Sequence, residues 1–395
     1  MSEGSRSKRL KYRSKKSATK SSRTSSPPSP ILDKSEFEYE SLKMLARQIK
    51  ANQEAHCRRG KSSRHHHRGH RCRNYDQKDL IFQGEKNELL TIESEKNKRK
   101  SSLDRSKAID LEIDAKTNAV FNRKNYKVIE RINQGAFSQV YRGEYLVDHR
   151  SIAIKVMDLN KLSQMFRVKY IPRELKALIE CRHKNVVQIY DIIRSNNRLF
   201  IFMEFCSNGD LASYIKRNGP CNDQLARFWF QQLIDALMHI HFELRMAHRD
   251  IKLDNVLLDN KFNAKLTDFG FAKDSWNESK NQVELSGTIC GTEPYMCPQL
   301  MQRTQYDSYS ADIWAMGVVL YCFLNAKFPF TWTNSATALN EMQNYPKYIS
   351  SVFDEKVNEE AIDLVVKMLN PDEKSRITLE SINEHPWLCK ESSTN

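Results

Sequence analysis

Apolar and polar residues alternate in short runs between residues 126 and 204, and they follow a helical spacing over most of the chain beyond residue 209. Alternation is typical of strands whose two faces meet different surroundings, whereas a spacing of three and four residues is typical of helices with one buried face. We therefore predict a small strand-rich region followed by a larger helical region. The predicted strands are 126–129, 139–144, 151–156, 186–194 and 198–204, and the predicted helices are 172–181, 226–241 and 313–324.

Residues 1–120 lack this patterning. They are rich in Ser, Lys, Arg and His, and such a segment cannot bury enough apolar surface to offset the entropy lost on ordering, so we expect it to be mostly disordered. The remainder predicts an α+β protein with two lobes. The smaller lobe covers residues 126–204, the connection 204–209 and the larger lobe 210–388, and a tail follows at 389–395.

The composition is that of a soluble protein with a core, since 39% of residues are hydrophobic and 28% are charged. The longest apolar run, 313–324, is shorter than the roughly 18–20 residues that a bilayer requires, so we expect no membrane association. The N-terminus is polar and basic and does not resemble a secretory signal. The nine cysteines follow no disulfide framework, which favours reduced thiols in the cytoplasm, the nucleus or both.

The net charge of +14 is concentrated in residues 1–120, which hold 29 of the 63 Lys and Arg residues but only 16 of the 49 Asp and Glu residues. The basic run at 8–16 predicts a nuclear localisation signal or a weak polyanion-binding tail, or simply a solvated tail. Ser62 and Ser102 each follow an Arg by three positions and are autophosphorylation candidates for a kinase that prefers basic substrates. Metal-ligand residue types also crowd here, but their spacing fits no standard zinc site; they are Cys57, His65, His66, His67, His70 and Cys72.

The most specific motif is the eight-residue segment 248–255, which reads His-Arg-Asp-Ile-Lys-Leu-Asp-Asn. Asp250 has the chemistry to orient or accept the proton of an attacking hydroxyl, Lys252 to neutralise a transferring phosphoryl group, and Asn255 to bind a metal ion. Asp268 opens an Asp-Phe-Gly motif eighteen residues after Asp250. Its carboxylate suits Mg²⁺, a hard ion that few protein oxygens hold together with phosphate oxygens.

Two weaker motifs precede these. Gly135 lies in a predicted strand–turn–strand with Asn133 and Ser138 at the outer positions, and small residues let backbone N–H groups approach a phosphate; an ordinary hairpin is the alternative. Lys155 ends an apolar strand, where a point charge suits the α- and β-phosphates of ATP, and Glu174 is its expected carboxylate partner. The alternative for Lys155 is a solvent-exposed strand lysine.

The fifth motif consists of the segment 291–299, which contains Thr292, and of the run 312–317, which begins with Asp312 and which we predict to lie in a buried helix. We expect Asp312 to open that helix, where the helix dipole favours an acidic residue.

Together these motifs resemble the eukaryotic protein kinase family, serine/threonine type, over residues 126–388. The resemblance implies a two-lobed protein kinase fold and transfer of the γ-phosphoryl group of ATP to protein Ser and Thr, with Mg²⁺ or Mn²⁺ as the metal ion. It implies that the catalytic residues are Asp250, Lys252, Lys155 and Glu174, and that Asn255 and Asp268 bind the metal. The implied ATP-binding residues are Ile132, Asn133, Gly135, Ser138, Val140, Ala153, Lys155, Met203, Glu204, Cys206, Asp210 and Leu257.

Several segments, including 171–175, 266–273 and 289–291, are similar to the testis-specific serine/threonine kinases within the calmodulin-dependent-kinase-like group. This resemblance implies signalling in spermatogenesis and a monomer that acts on protein substrates. The presence of Lys252 and Thr292 resembles the pattern of the Ser/Thr branch of the family. Thr292 would belong to the substrate-specificity loop. Arg249 implies control by an activation-loop phosphate, for which Thr288 is the candidate site, filled by an upstream activator or by autophosphorylation.

Three residues depart from the family pattern. Asn133 and Ser138 replace two glycines of the phosphate loop, and Gln299 replaces a Glu that would pair with Arg376. We expect Gln299 to keep one hydrogen bond and to lose the charge, which would make the activation segment less rigid. A pseudokinase scaffold is therefore one alternative to an active kinase, and a polyanion-binding protein acting through the basic N-terminus is another.

Overall fold

The computed structural model describes residues 113–135, 138–161, 181–345, 349, 353 and 356–389. Within them a five-stranded antiparallel sheet precedes a mainly helical region, which confirms the predicted two-lobed α+β protein. Several predictions lie outside the described residues: the disorder and the cysteine–histidine cluster of the basic extension, the helix 172–181 except Cys181, Glu174, and the end of the tail.

The smaller lobe contains a sheet with the strand order β1-β2-β3-β5-β4, in which all neighbours are antiparallel. The strand predicted at 186–194 begins later, because Val186 and Val187 instead pair with Leu266 of the larger lobe. The strands are β1 (Tyr126–Gln134), β2 (Ser138–Tyr145), β3 (Arg150–Asp158), β4 (Ile189–Ser195) and β5 (Arg198–Glu204).

A helix that the sequence analysis missed, α1 (Ala115–Arg123), precedes the sheet and extends the folded region into the predicted extension. Asp114 caps it by accepting a hydrogen bond from the backbone N–H of Thr117 at 3.0 Å. Phe121 is 1% exposed, and its ring meets those of Phe200 and Phe202 edge-on at centroid distances of 5.1 and 5.2 Å. The helix therefore covers a separate small core on one face of the sheet.

The larger lobe is built around a helix that is buried on nearly every side, from Ser310 to Leu324. Gly317 of this helix permits close packing, since a Cβ there would lie 2.9 Å from the Cβ of Met368. The helices of this lobe are α2 (Leu211–Asn218), α3 (Asp223–Met238), α4 (Pro298–Met301), α5 (Ser308–Asn325), α6 (Ser335–Gln343), α7 (Glu359–Met368), α8 (Leu379–Asn383) and α9 (Pro386–Cys389). No described helix is both long and apolar enough to span a membrane.

The segment between α3 and α4 contains pairs of short antiparallel strands. The chain leaves α3 through a π-helical turn, His239–Glu243, so the predicted helix 226–241 covers two kinds of helix. The pairings β6–β9 and β7–β8 then bring the motifs around Asp250 and Asp268 to the same edge of the lobe. The strands are β6 (Met246–Ala247), β7 (Val256–Leu258), β8 (Ala264–Leu266), β9 (Lys273–Asp274), β10 (Trp276–Asn277) and β11 (Gln282–Val283).

Candidate active site

Asp250 lies at the centre of a compact group of hydrogen bonds. Its Oδ1 accepts a hydrogen bond from the hydroxyl of Thr292 at 2.8 Å. Its Oδ2 accepts from the Nζ of Lys252 at 2.8 Å and from the Nδ2 of Asn255 at 3.0 Å. Lys252 also donates to the Thr292 hydroxyl at 2.8 Å. An alcohol oxygen therefore sits between a carboxylate that can take its proton and an ammonium group that can stabilise negative charge.

The backbone of this loop is held by Asp312, a residue that the sequence analysis assigned to the start of a helix. The helix α5 begins earlier, at Ser308, and is capped by Asp307, so Asp312 lies inside it and is 1% exposed. Its carboxylate accepts hydrogen bonds from the backbone N–H of His248 at 2.7 Å and of Arg249 at 2.8 Å. A third bond, 2.9 Å long, joins it to Nε2 of His241. Buried carboxylates need such partners, and these also fix the loop that carries Asp250.

The backbone of Arg249 has φ of 64°, in the left-handed region that costs energy for residues other than glycine. The bond from its N–H to Asp312 helps to hold this conformation.

Lys155 on β3 reaches across to Asp268, with 3.0 Å between its Nζ and Oδ1 of the carboxylate. The Lys155 side chain is 16% exposed, so it is not a solvent-exposed strand lysine. The nearby ammonium of Lys155 is the main cause that lowers the pKa of Asp268 below its ordinary value, against the opposing effect of burial. Glu174, the predicted second partner of Lys155, lies outside the described residues.

Asn255 and Asp268 are the side chains that could hold a metal ion. The N–H of Thr267 donates to the carbonyl of Asn255 at 2.9 Å, which places Asp268 one residue from that contact. The Nδ2 of Asn255 is committed to Asp250, so its amide oxygen is the atom left for a cation. An amide and a carboxylate oxygen suit a hard ion such as Mg²⁺ that also binds phosphate oxygens. In the described part of the chain, no group of three His, Cys, Asp or Glu side chains forms a complete metal site.

Backbone pairings join six of the residues predicted to bind ATP. Val140 pairs with Lys155 and Ala153 pairs with Met203 in the sheet, while Asp210 forms a bridge with Leu257 in the larger lobe. We refer to the region between these two sets, which the Lys155–Asp268 ion pair spans, as the crevice. The remaining residues predicted to bind ATP are Ile132 and Asn133 on β1, Gly135 in the turn that follows, Ser138 at the start of β2, Glu204 at the end of β5, and Cys206 in the connection. Their role in binding ATP stays a prediction.

The turn between β1 and β2 is closed by a hydrogen bond of 2.8 Å from the N–H of Gly135 to the carbonyl of Ser138. Cys206 is 8% exposed, and burial raises the pKa of its thiol to about 12, so the thiol is neutral near pH 7.

Glu204 and Asp210, at the two ends of the connection, have partners that the sequence did not indicate. Glu204 forms an ion pair with Lys265 of β8, with 2.8 Å between Oε1 and Nζ, and this pair links the connection to the larger lobe. The carboxylate of Asp210 caps α2 by accepting from the N–H of Ser213 at 2.7 Å and from its hydroxyl at 3.0 Å. A role for Asp210 in binding ribose remains a prediction.

Arg249 binds the activation segment through groups other than Thr288. Its Nε donates to the carbonyl of Phe271 at 2.7 Å, and its Nη1 donates to the hydroxyl of Ser286 at 3.2 Å. Thr288 is half-buried, and its carbonyl accepts a hydrogen bond from the hydroxyl of Tyr306 at 2.9 Å. These three hydrogen bonds hold the activation segment against the larger lobe, and Arg249 is the one charged residue among their donors.

The expected contact between Gln299 and Arg376 is absent from the described residues. Gln299 makes one hydrogen bond, but with a different partner, since its Nε2 donates to the carbonyl of Pro371 at 2.7 Å. Its Oε1 and the Nη2 of Arg376 are both buried without a hydrogen-bond partner. Arg376 instead donates to the carbonyl of Ser310 at 2.8 Å and to that of Asn370 at 2.9 Å. The guanidinium also donates to the hydroxyl of Ser310 at 2.9 Å and lies over the ring of Trp314, so it is held without a carboxylate.

Comparison with known proteins agrees with this geometry. The sequence model of the protein kinase domain matches residues 126–388. The chain is similar to testis-specific serine/threonine-protein kinase 3 of Mus musculus, with 34% identity over 67% of this chain and 96% of that protein. It is 32% identical to testis-specific serine/threonine-protein kinase 4 of Homo sapiens, over 69% of this chain and 85% of that protein. It is also 34% identical to CBL-interacting serine/threonine-protein kinase 10 of Arabidopsis thaliana, over 67% of this chain and 54% of that protein.

Proposed function

The chain belongs to the protein kinase family as a serine/threonine kinase, and from this premise we propose that it transfers the γ-phosphoryl group of ATP, in a Mg²⁺-dependent reaction, to Ser and Thr of protein substrates. Asp250 would orient the acceptor hydroxyl, and Lys252 would stabilise the charge on the phosphoryl group during transfer. Lys155 would bind phosphate oxygens of the nucleotide, while Asn255 and Asp268 would hold the metal ion.

One observation supports this proposal most strongly. The hydroxyl of Thr292 lies 2.8 Å from both Oδ1 of Asp250 and Nζ of Lys252. This hydroxyl occupies the environment that an acceptor alcohol requires, because a carboxylate accepts its proton while an ammonium group lies beside its oxygen. Ser and Thr are the protein side chains that carry such an alcohol.

A bound metal–nucleotide would supply an activated phosphoryl group, and Lys155, Asn255 and Asp268 would bind and orient it. The Lys155–Asp268 ion pair joins β3 of the smaller lobe to the larger lobe across the crevice. The hydrogen bond from Thr267 to Asn255 keeps the two candidate metal ligands at neighbouring positions. Positioning of this kind, with electrostatic stabilisation, provides most of the catalysis in phosphoryl transfer.

The proposed activity is tested by transfer of radiolabel from ATP to a Ser/Thr peptide library and a general protein substrate. The full chain should transfer phosphate, and Asp250→Asn should lose at least about a thousandfold in rate. The variant should still unfold in one cooperative thermal transition, at a lower melting temperature because the replaced carboxylate accepts three hydrogen bonds. Undiminished transfer by Asp250→Asn would contradict the role of this residue. Binding of ATP and Mg²⁺ by the wild type without any transfer would favour the pseudokinase alternative, which the retained Lys155, Asn255 and Asp268 do not favour.

Thr288 is our proposed regulatory phosphorylation site, filled by autophosphorylation or by an upstream activator. The guanidinium of Arg249 donates to the hydroxyl of Ser286, two residues before Thr288, and the carbonyl of Thr288 accepts from Tyr306. A positive charge that lies this close along the segment supports a phosphate at Thr288. Phosphopeptide mapping of the wild type and of Lys155→Met would separate the two routes. Phosphate at Thr288 only in the wild type would indicate autophosphorylation, and phosphate in neither, even after exposure to cell extract, would reject the site.

The names of two relatives describe them as testis-specific, and we propose on that basis that this kinase acts in spermatogenesis, as a monomer in the cytoplasm, the nucleus or both. A survey of the protein across tissues tests the role in spermatogenesis, and its presence only in tissues other than testis would contradict that role. The basic run at 8–16 supports nuclear import or weak polyanion binding. Heparin affinity that does not fall with added salt would reject the polyanion proposal.

A further inference from the structure

The strand β3 carries Lys155 on one face, and its other face belongs to a separate core. Ala153 and Met157, which share the face of Lys155 in the alternation of the strand, lie in the core that also includes most of the larger lobe. Lys155 itself reaches Asp268 of that lobe. The intervening residues of β3, such as Ile154, lie in the small core that α1 covers. The helix α1 and the ammonium of Lys155 are therefore on opposite sides of the same sheet.

The ring of Phe121 lies directly behind the backbone position of Lys155. Lys155 pairs with Ile201 of β5, and the residues on either side of Ile201 are Phe200 and Phe202. Phe121 meets both of these rings edge-on, at centroid distances of 5.1 and 5.2 Å. None of the three rings is more than 1% exposed. Phe121 therefore spans the Lys155–Ile201 pair from the reverse face of the sheet.

Polar contacts near both ends of α1 hold Phe121 in this place. Near the start of the helix, the hydroxyl of Thr117 forms a hydrogen bond of 2.6 Å with the hydroxyl of Ser195, and both residues are buried. Directly after its last residue, Lys124 forms an ion pair with Asp191 of β4. Yet α1 precedes residues 126–388, which match the protein kinase model. It is therefore a feature of this chain beside the matched domain.

We propose that Phe121 is a positioning residue for ATP binding, because its ring holds β3 and β5 in the place from which Lys155 reaches the phosphates. This inference rests on the proposed kinase activity and adds to it a residue outside the matched domain. Protein interiors are close-packed, so the loss of a buried ring shifts its neighbours. The contact of 3.0 Å between Nζ of Lys155 and Oδ1 of Asp268 shows how closely the ammonium is placed, and small displacements of binding groups weaken their contacts.

The test measures binding of two ligands to the full chain by isothermal titration calorimetry, at a temperature at which circular dichroism shows every variant to be folded. The ligands are ATP with Mg²⁺ and adenosine, which lacks phosphates. Phe121→Ala should bind ATP about fivefold more weakly than the wild type, because a displaced ammonium keeps part of its attraction for the phosphates. The dissociation constant of adenosine should change by less than about twofold, since Lys155 contacts phosphate oxygens.

A double-mutant cycle on ATP binding tests whether Phe121 acts through Lys155. Lys155→Met should weaken binding of ATP about tenfold or more. Adding Phe121→Ala to Lys155→Met should weaken it by less than about twofold further, because no ammonium is left to position.

Two further variants separate positioning from a general loss of stability. Ile382→Ala leaves a cavity at a fully buried position of α8 in the larger lobe, and it should keep the wild-type affinity for ATP although it also destabilises the fold. Phe121→Val leaves a smaller cavity than Phe121→Ala and should show the same pattern with a smaller loss; it takes the place of Phe121→Ala in every comparison should the latter not fold.

Three results would overturn the inference and leave the kinase activity standing. They are wild-type affinity for ATP in the Phe121 variant, equal weakening of ATP and adenosine, and losses that multiply when the Phe121 and Lys155 substitutions are combined. The absence of ATP binding by the wild type would overturn the proposed kinase activity and, with it, the inference.

Discussion

At the scale of residues, the loop that carries Asp250 is held by the buried carboxylate of Asp312, which accepts hydrogen bonds from two backbone N–H groups of that loop. Asp250, Asn255 and Asp268 were named from their motifs, and the structure joins Asn255 to Asp250 and Asp268 to Lys155, each at 3.0 Å. The role of Asp312 was not predictable, because three of its contacts reach residues more than 60 positions away. The signal available was an acidic residue inside an otherwise apolar run, which requires buried partners without identifying them.

Replacing Asp312 with Asn should destabilise the loop 248–255, which carries Asp250. The carboxylate accepts three hydrogen bonds, and an amide would turn one of its acceptor atoms into a donor that faces an N–H group. We expect Asp312→Asn to lower the free energy of unfolding by about 3 kcal/mol and to reduce transfer more than binding of ATP. Urea denaturation and steady-state kinetics measure the two effects. Asp148→Asn, at the exposed turn between β2 and β3, is the control and should change the free energy of unfolding by less than about 0.5 kcal/mol.

His183 should make stability depend on pH. Burial, with a further contribution from His239, lowers the pKa of His183 from 6.5 to about 4, and the two rings stack at a centroid distance of 5.5 Å. Because the unfolded chain binds this proton more tightly, the stabilisation is complete above about pH 6.5 and is lost as pH falls towards 4. We expect His183→Phe to lose less stability than the wild type between pH 7 and pH 5.

The difference should be about 1 kcal/mol, since the imidazole is only half-buried and solvent screens part of the effect. Urea denaturation at the two pH values measures it, with His149→Phe as the control because His149 lies at an exposed turn. A wild type and a His183→Phe variant with equal pH dependence would contradict the assignment.

At the scale of elements, prediction succeeded where one local pattern decided the structure. The strand β5 has the predicted bounds, Arg198–Glu204, because its apolar run ends at polar residues on both sides. The strand β4 differs at its start because contacts with the larger lobe compete for Val186 and Val187. The helix α1 was missed because its apolar residues are few, and most of its stabilisation comes from the sheet that Phe121 covers. The capping pair of Asp114 and Thr117 was the local signal for it.

Removing the side chain that joins α1 to the sheet should destabilise the smaller lobe. Phe121→Ala leaves a cavity between α1 and the rings of Phe200 and Phe202, so the free energy of unfolding should fall by about 3–4 kcal/mol. Asn122→Ala, at an exposed position of the same helix, should change it by less than about 0.5 kcal/mol. Differential scanning calorimetry of both variants measures the effect, and equal losses would show that α1 does not contribute to the fold through this contact.

At the scale of the whole molecule, the two lobes meet through charged residues that no single element could place. The Lys155–Asp268 pair spans 113 positions of sequence, and the Glu204–Lys265 pair spans 61. Sequence patterns predicted the order of the lobes and the residue types at the crevice. They could not predict which charges would pair, because those distances depend on how the lobes pack together. The central claim is that these residues act on one metal-bound nucleotide as a unit.

The most direct test of that claim is a double-mutant cycle on Lys155 and Asp268, measured as radiolabel transfer from ATP to a Ser peptide. Lys155→Met and Asp268→Asn should each lower the rate at least about a hundredfold. The rate of the double variant should be close to that of the less active single variant, because the effects of substituting residues that act together are strongly non-additive. Losses that multiply in the double variant, or transfer at the wild-type rate by either single variant, would contradict the account.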